Sequence, residues 1–580
     1  METRFIYHLI FFFTFFSVFV HAQEKENDTI KTDELIVTKK YSPTVNDAFK
    51  IKPKPQQKDT SKVKRKNIDY SIINIPVAST FTPSKGVASD VEKQPRPRLY
   101  DNFASLGAGS FANIRAAFHG NVELDRTKDL QVDLDHFSSA GGVDGVLLDD
   151  DFLVTELGLE MSKDGRYTDW NTYVNSGYRS VNWYGINNAT LASISENELN
   201  AIDPSQNYFH FDAGGSINPD RSFIDGIGLD YSLFSDDLSN TEHFIDLRPE
   251  FDLYFLDQLL ETDLQVDYVS GSFEATRSST IDRDYSFLNL RLYPHLMYEE
   301  GNFSADLGAQ VVYNTDLEQS DSDVFVYPKI DLNYQIDESR FVAFAGAKGN
   351  LEQNRYQTFV DNNPFVIPYL NIAPTDQQLK AYAGVKGKFL ENLSFRVNGS
   401  YETVENYAFF ISRPFNPQIN NRQGFEYGNT FDVFYDDMQT LGFKLSLQYD
   451  HSKDLQMGLR AALNSYSTDD LPEAINLPEL VYSFNSSYNI TDKWSVSGMI
   501  FYRGERNDLQ ESNTSIIDGS SLVTIDDYMD VNLHSSYQLN EKLAIFIKGN
   551  NLLEGNYRRW KDYRVQSLQI LGGLQFQFDW

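Results

Sequence analysis

The 580-residue chain contains no cysteine. Disulfide bridges and thiolate metal sites are therefore excluded. Positive charge is also short: 50 Lys and Arg stand against 83 Asp and Glu, a formal net charge of −33. A chain of that sign repels polynucleotides, so no nucleic-acid partner is expected. Tryptophan is sparse at 5, yet 34 Tyr and 43 Phe raise the aromatic content to 14 %. Such enrichment suits a transmembrane barrel, whose rings gather at both water–lipid interfaces, and equally an aromatic-rich secreted β-sandwich. After residue 22 no run of about 18 apolar residues occurs, so no transmembrane helix is offered. If this chain crosses a membrane, it does so as a closed barrel.

The first 22 residues set the compartment. Arg4 precedes an apolar run over residues 5–20 (FIYHLIFFFTFFSVFV), and Val20, His21 and Ala22 supply acceptable residues before a cleavage point at Gln23. This is the pattern of a secretory signal peptide, and no lipobox cysteine follows it. Residues 23–98 are rich in proline and lysine, and residues 50–66 hold eight basic residues and one acid, Asp59. Without an apolar period to build a core, this stretch reads as an extended or disordered periplasmic arm. It is either a plain spacer or a basic tether for an anionic partner or a membrane surface.

Residues 99–580 repeat a different signal. Leu260, Thr262, Leu264, Val266 and Tyr268 alternate with Glu261, Asp263, Gln265 and Asp267. Phe443, Leu445, Leu447 and Tyr449 alternate with Lys444, Ser446, Gln448 and Asp450. Successive side chains on a strand point to opposite faces, so these segments have one apolar and one polar face. Alternation alone does not separate a barrel from a soluble sandwich. Three features favour the barrel. Short turns, at 162–165, 218–221, 299–302, 336–339, 490–493 and 540–542, interleave with long loops at 184–206, 352–377, 412–426 and 505–522; that asymmetry is the bacterial pattern. Aromatics cluster near strand ends, as at Trp183 and Tyr184 or Tyr407, Phe409 and Phe410. The last segment alternates Leu574, Phe576, Phe578 and Trp580 with polar residues. The fold expected is an all-β, antiparallel up-and-down transmembrane β-barrel of 20–22 strands. About 21 segments can be counted; bacterial single-chain barrels have even numbers, so 22 is preferred. The uncounted strand is sought either in 427–450, read as two, or inside 70–81.

Two stretches resemble the TonB-dependent receptor family. Residues 537–557 (YQLNEKLAIFIKGNNLLEGNY) are similar to its penultimate hairpin, and GGLQFQFDW is similar to its closing strand. Within that closing strand Gly573, Phe576, Phe578 and Trp580 fit the signal read by the barrel-assembly machinery, with Leu571 standing where a polar residue is usual. Residues 368–374 (PYLNIAP) and the hairpin after them resemble a loop-then-hairpin pattern of the family. Asp33, Glu34, Leu35, Ile36, Val37 and Thr38 resemble the short box that pairs with TonB as an added strand. The resemblance implies an outer-membrane receptor, with outer-membrane lipid, the assembly machinery and TonB or another outer-membrane complex subunit as partners. One departure matters. The family places a globular plug between box and barrel, and only 67 residues separate Thr38 from Leu106 here, too few for a complete plug.

No catalytic constellation emerges, and no cofactor or metal site is expected. HExxH, GxSxG and phosphate-cradling glycine loops are absent. His136, at a predicted strand end, is the best candidate for a base, but no nucleophile can be paired with it by spacing. The acidic runs 149–151 and 316–323 lack the spacing of a calcium loop and read as solvated loops. Arg396, Lys444, Arg460 and Lys548 fall on the predicted inner face and imply a wet lumen. A barrel this wide needs closing, by the arm, by inward-folded loops such as 352–377 or by another protein. Two functions follow: binding or transport of a ligand across the outer membrane by a plug-less receptor, or a non-transporting scaffold or accessory subunit of an outer-membrane complex.

Overall fold

A computed structural model describes residues 100–580 apart from 221–222, 256–257, 275–282, 338–339, 420 and 511–520. The signal peptide, the TonB-box-like segment and the arm lie outside these residues. Twenty-two strands pair in one antiparallel sheet. The first, Asn102–Gly109, pairs on one side with Ile114–Asp125 and on the other with the last, Gln569–Phe578. That final pairing closes the barrel and leaves no free edge.

The period of two that marks the sequence becomes two chemically different surfaces. Ile545 and Ile547 are exposed, whereas their chain neighbours Ala544 and Phe546 are buried. Ile545 stands opposite Leu574, and Leu574 opposite Leu106, and all three side chains are exposed. The same outward apolar row continues through Leu157, Leu229, Leu247, Leu290, Val326 and Leu441. Such a continuous apolar belt is stable only against hydrocarbon, and the closed sheet pairs strand with strand all the way round, supplying the backbone partners that hydrocarbon cannot.

The connections are sorted by end. Short turns such as 126–127, 301–302, 391–392 and 492–493 lie at the end where Asn102 and Phe578 meet. Every long connection, including 140–151, 183–204, 353–374, 413–430, 504–527 and 551–568, lies at the other. Two of these carry small hairpins of their own, Arg506–Gln510 with Ser521–Ile525 and Arg558–Trp560 with Tyr563–Arg564.

The preferred number, 22, is the one observed. The segment 427–450 contributes a single strand, Phe431–Asp450, of 20 residues. A tilted strand crosses a bilayer in about ten residues, which is why so long a segment reads as two. The stretch 70–81 falls outside the described residues, and the 22 strands are complete without it.

Candidate functional site: a loop-built cap and the lumen beneath it

Four long loops do not splay outward; they fold over the barrel mouth and share one aromatic core. Trp183, Tyr356, Phe359, Val360, Val366, Ile367, Leu370, Phe425 and Tyr563 are buried there with Phe431, which begins a 20-residue wall strand. The loop 353–374 crosses the mouth. It opens with a short helix, Tyr356–Asn362. The Glu242 carboxylate, at the top of the strand Thr241–Phe255, accepts from the backbone N–H of Tyr356 at 2.6 Å and Gln357 at 3.4 Å. These are N–H groups that a helix start leaves without internal partners, and a carboxylate is the favoured acceptor there. The Tyr356 hydroxyl donates to Asp236 at 2.8 Å, the Asn240 amide to the Pro368 carbonyl at 2.8 Å, and Tyr208 to the Pro364 carbonyl at 3.0 Å. Arg179 pairs with Asp361 at 3.1 Å. On the far side Ile367 N–H reaches the Phe431 carbonyl at 2.8 Å, and Phe431 N–H reaches the Phe365 carbonyl at 3.0 Å. The loop is thus stitched to both sides of the mouth.

Tyr563, 1 % exposed, joins the loops to one another. Its ring lies 3.7 Å from that of Phe365 and 5.0 Å from that of Tyr184, centroid to centroid, and its hydroxyl donates to the Asn429 carbonyl at 2.5 Å. Gly185 is required beside it, since a Cβ there would stand 2.4 Å from the Tyr563 ring. Burial pushes the Tyr563 hydroxyl well above the ordinary tyrosine range, and Tyr184 adds to the shift. A second, smaller core joins Phe409, Ile411 and Met438 to Leu471, Ile475 and Leu509 of two further loops. Beside it, burial lowers the Arg506 guanidinium to about 10 while its two Nη groups donate to the carbonyls of Arg559 and Arg558 at 2.7 and 2.9 Å.

Beneath the cap the wall is polar. A cavity of about 650 Å³ lies between Arg355 and Gln357 of the crossing loop and the wall residues Asp133, Glu160, Asp212, Asp230 and Asp246. The Tyr173 hydroxyl donates to Asp230 at 2.5 Å. Arg248 pairs with Asp230 and, at 3.4 Å, with Asp246. Among the described residues no cluster of His, Asp and Glu is placed to hold a metal ion.

The residues singled out in the sequence divide as follows. Arg396, Lys444, Arg460 and Lys548 face inward: Arg396 shares its face with Ser446 and Arg460, Lys444 with Asn398, and Lys548 with His534. His136 lies on the outward face, opposite Thr155 and in line with Leu134 and Leu157. Its Nε2 is 3.1 Å from Ser138 Oγ and its Nδ1 2.8 Å from Thr155 Oγ1, so a hydroxyl rather than a carboxylate orients the ring. The acidic runs serve their own loops. Asp150 accepts from Val143 N–H at 2.6 Å, and Asp316 from the N–H groups of Glu318 and Gln319 at 2.9 and 3.0 Å. Gly573, Phe576, Phe578 and Trp580 lie together on and just beyond the closing strand. Phe576 stacks on Phe578 at 5.3 Å and Phe578 meets Trp580 edge-on at 5.3 Å. Gly573 sits at the seam, where a Cβ would come within 2.3 Å of the Leu106 carbonyl oxygen.

The aromatics at strand ends are the clearest departure. Trp183 and Phe409, 2 % and 1 % exposed, turn into the cap cores and not toward an interfacial belt. Glu242 and Asp236 carried no sequence signal, because strand-end acids are ordinary. The excess of aromatic and aliphatic residues in 356–372 was the legible hint.

A 22-stranded closed sheet with an apolar exterior, a polar interior and its long loops gathered at one end defines an outer-membrane β-barrel. Residues 85–552 match the family model described as TonB dependent receptor-like, beta-barrel. The chain belongs to that family. No curated protein matches its sequence. Solved structures share the fold at low identity. The siderophore receptor PirA from Acinetobacter baumannii is 11 % identical, with a TM-score of 0.61 over 82 % of this chain and 80 % of that one. The ferric-catecholate import receptor Fiu from E. coli K12 is 12 % identical, with a TM-score of 0.59 over 83 % and 82 %. The FrpB iron transporter from Neisseria meningitidis is 10 % identical, with a TM-score of 0.60 over 83 % and 82 %.

Proposed function

We propose that this chain is a receptor-type outer-membrane barrel held shut by its own loops, serving as a binding subunit of an outer-membrane assembly and not as an open pore. The aromatic cap carries this reading. Burying one large apolar side chain is worth roughly 1.5–3 kcal/mol. With Trp183, Tyr356, Phe359, Ile367, Leu370, Phe431 and Tyr563 all 3 % exposed or less, lifting the cap as a unit costs on the order of 10 kcal/mol. The long loops face the exterior, and the turn-bearing end and residues 23–98 face the periplasm. Outer-membrane lipid and the barrel-assembly machinery, reading Gly573, Phe576, Phe578 and Trp580, are the partners of its biogenesis. Mild-detergent extraction from native outer membranes tests the reading: stable recovery of other outer-membrane subunits supports it, and recovery of the barrel with TonB alone counts against it.

The cavity under the crossing loop favours a second reading, energised uptake. The similar solved structures include import receptors and an iron transporter, and the segment 33–38 would supply the contact with TonB. Altering Leu35, Ile36 and Val37 would then abolish uptake of a ligand while leaving barrel assembly intact.

A further inference from the structure

The lumen wall carries rows of like charge. Lys329 stands directly opposite Lys348, and Lys348 opposite Lys380, on three consecutive strands. Further toward the terminal end Lys386 stands opposite Arg396, and Arg396 is separated from Arg460 only by Ser446. Side chains directly opposed on a sheet have Cβ atoms about 5 Å apart, and like charges so placed oppose the pairing. A matching acidic row, Asp230, Asp246 and Asp267, occupies another arc of the same wall. That row is neutralised from within: Arg248 pairs with Asp230 and Asp246, and Arg291 pairs with Asp267. The basic rows are not. Among the described residues only Lys380 of the six has a carboxylate partner, Glu402 at 2.7 Å. Lys386 and Arg396 rest over the Phe344 ring at 5.9 and 4.6 Å, and Lys348, Arg396 and Arg460 are exposed to the lumen.

Uncompensated rows that cost sheet stability call for an anionic occupant. Lys386 lies six positions after Lys380 along one strand, which at about 3.4 Å per residue sets the two rows roughly 20 Å apart. A single phosphate or carboxylate cannot bridge that distance; an extended polypeptide with repeated acids can. The cap closes one end, and among the described residues only short turns lie at the other. Residues 23–98, with sixteen basic and ten acidic residues, carry the wrong sign to fill the role.

We infer that the wall bearing Lys329, Lys348, Lys380, Lys386, Arg396 and Arg460 docks an acidic segment of a separate polypeptide that enters the lumen from the terminal end. This names the partner chemistry of the closed-barrel reading but does not need the cap to be sealed. A conducting barrel that bound the segment would overturn the former and leave the latter standing.

The test is fluorescence anisotropy of a labelled oligoglutamate peptide with the full chain in detergent. Saturable binding that weakens with salt is expected. The triple substitution Lys386→Gln, Arg396→Gln and Arg460→Gln should weaken it by about tenfold or more, while Lys386→Arg and Lys348→Arg retain it. Heat-modifiable mobility on gels confirms that each variant is folded, and Lys329→Gln with Lys348→Gln gives an independent pair should the triple variant fail to assemble. No binding, equal binding of oligolysine, displacement by equimolar inorganic phosphate or an unchanged affinity in folded variants would each overturn the inference. Binding that emerges only after deletion of residues 23–98 would overturn the assignment to a separate polypeptide.

Discussion

Phe365 and Tyr563 stack face to face, with ring centroids 3.7 Å apart and planes inclined by 19°. They come from loops that leave the barrel between different strand pairs, and their contact converts separate loops into a single cap. Tyr563→Ala removes a buried ring and should cost roughly 3–5 kcal/mol of cap stability. Tyr563→Phe keeps the ring and removes the hydroxyl that donates to the Asn429 carbonyl, and should cost about 1 kcal/mol. Limited proteolysis checks both: cleavage within 183–204 and 353–374 should be fast in the first variant and near the parent rate in the second.

Barrel closure makes its own demand. Gly573 faces Gly107 across the seam between last and first strands, and the Phe546 ring lies over both. A side chain at 573 would drive into the Leu106 carbonyl. Gly573→Val should therefore abolish the compact, heat-modifiable band. Phe576→Leu, on the outward face, should leave a folded barrel once it is refolded in detergent; slow assembly of that variant in cells alone would mark Phe576 as part of the assembly signal.

The two faces differ in what they tolerate. Leu229 is 52 % exposed on the outer belt; Leu229→Lys places a charge in hydrocarbon and should cost about 2–4 kcal/mol if it lies near the bilayer midplane. Ser487, on the inward face between Gln456 and Ser497, should accept lysine with little change. Urea unfolding in lipid vesicles compares them, and equal costs would contradict the assigned faces.

The cap should respond to pH through Asp562. Burial raises its carboxyl above the usual range, against the opposing pull of Lys561, Arg558 and Arg564. A carboxyl raised in the folded state binds its proton more readily there than in the opened loop. Cap stability therefore falls as pH rises from the ordinary carboxylate value to the raised one, and is level on either side. Asp562 also sits at φ 63°, which asparagine accepts. Asp562→Asn should reduce this pH dependence of protease resistance, leaving the part carried by the buried Asp508 carboxyl, which burial also raises, without loosening the cap at neutral pH.

Much of this was legible in the chain. The period of two separated lipid from lumen, so that Leu543, Ile545 and Ile547 lie outward and Arg396, Lys444, Arg460 and Lys548 inward. Turn and loop lengths sorted the two ends. The cap was not legible. Trp183 and Tyr184 follow the last paired residue of their strand, and Phe409 follows a register shift between Val404 and Tyr407 in its own; past either point the alternation set by the preceding residues no longer says whether a ring turns toward lipid or toward the axis. Only the burial of Trp183 and Tyr184 with Tyr563, some 380 residues away in the chain, and of Phe409 with Leu471 and Leu509 decides it. Glu242 was invisible for the same reason, since its partner is a backbone N–H on a distant loop.

Ion conductance of the purified full chain in planar lipid bilayers reads out whether the loops seal the mouth. The parent protein should insert but conduct scarcely at all, and Tyr563→Ala or removal of residues 354–373 should produce large, steady openings. Steady large conductance in the parent, unchanged by either alteration, would contradict a sealed mouth.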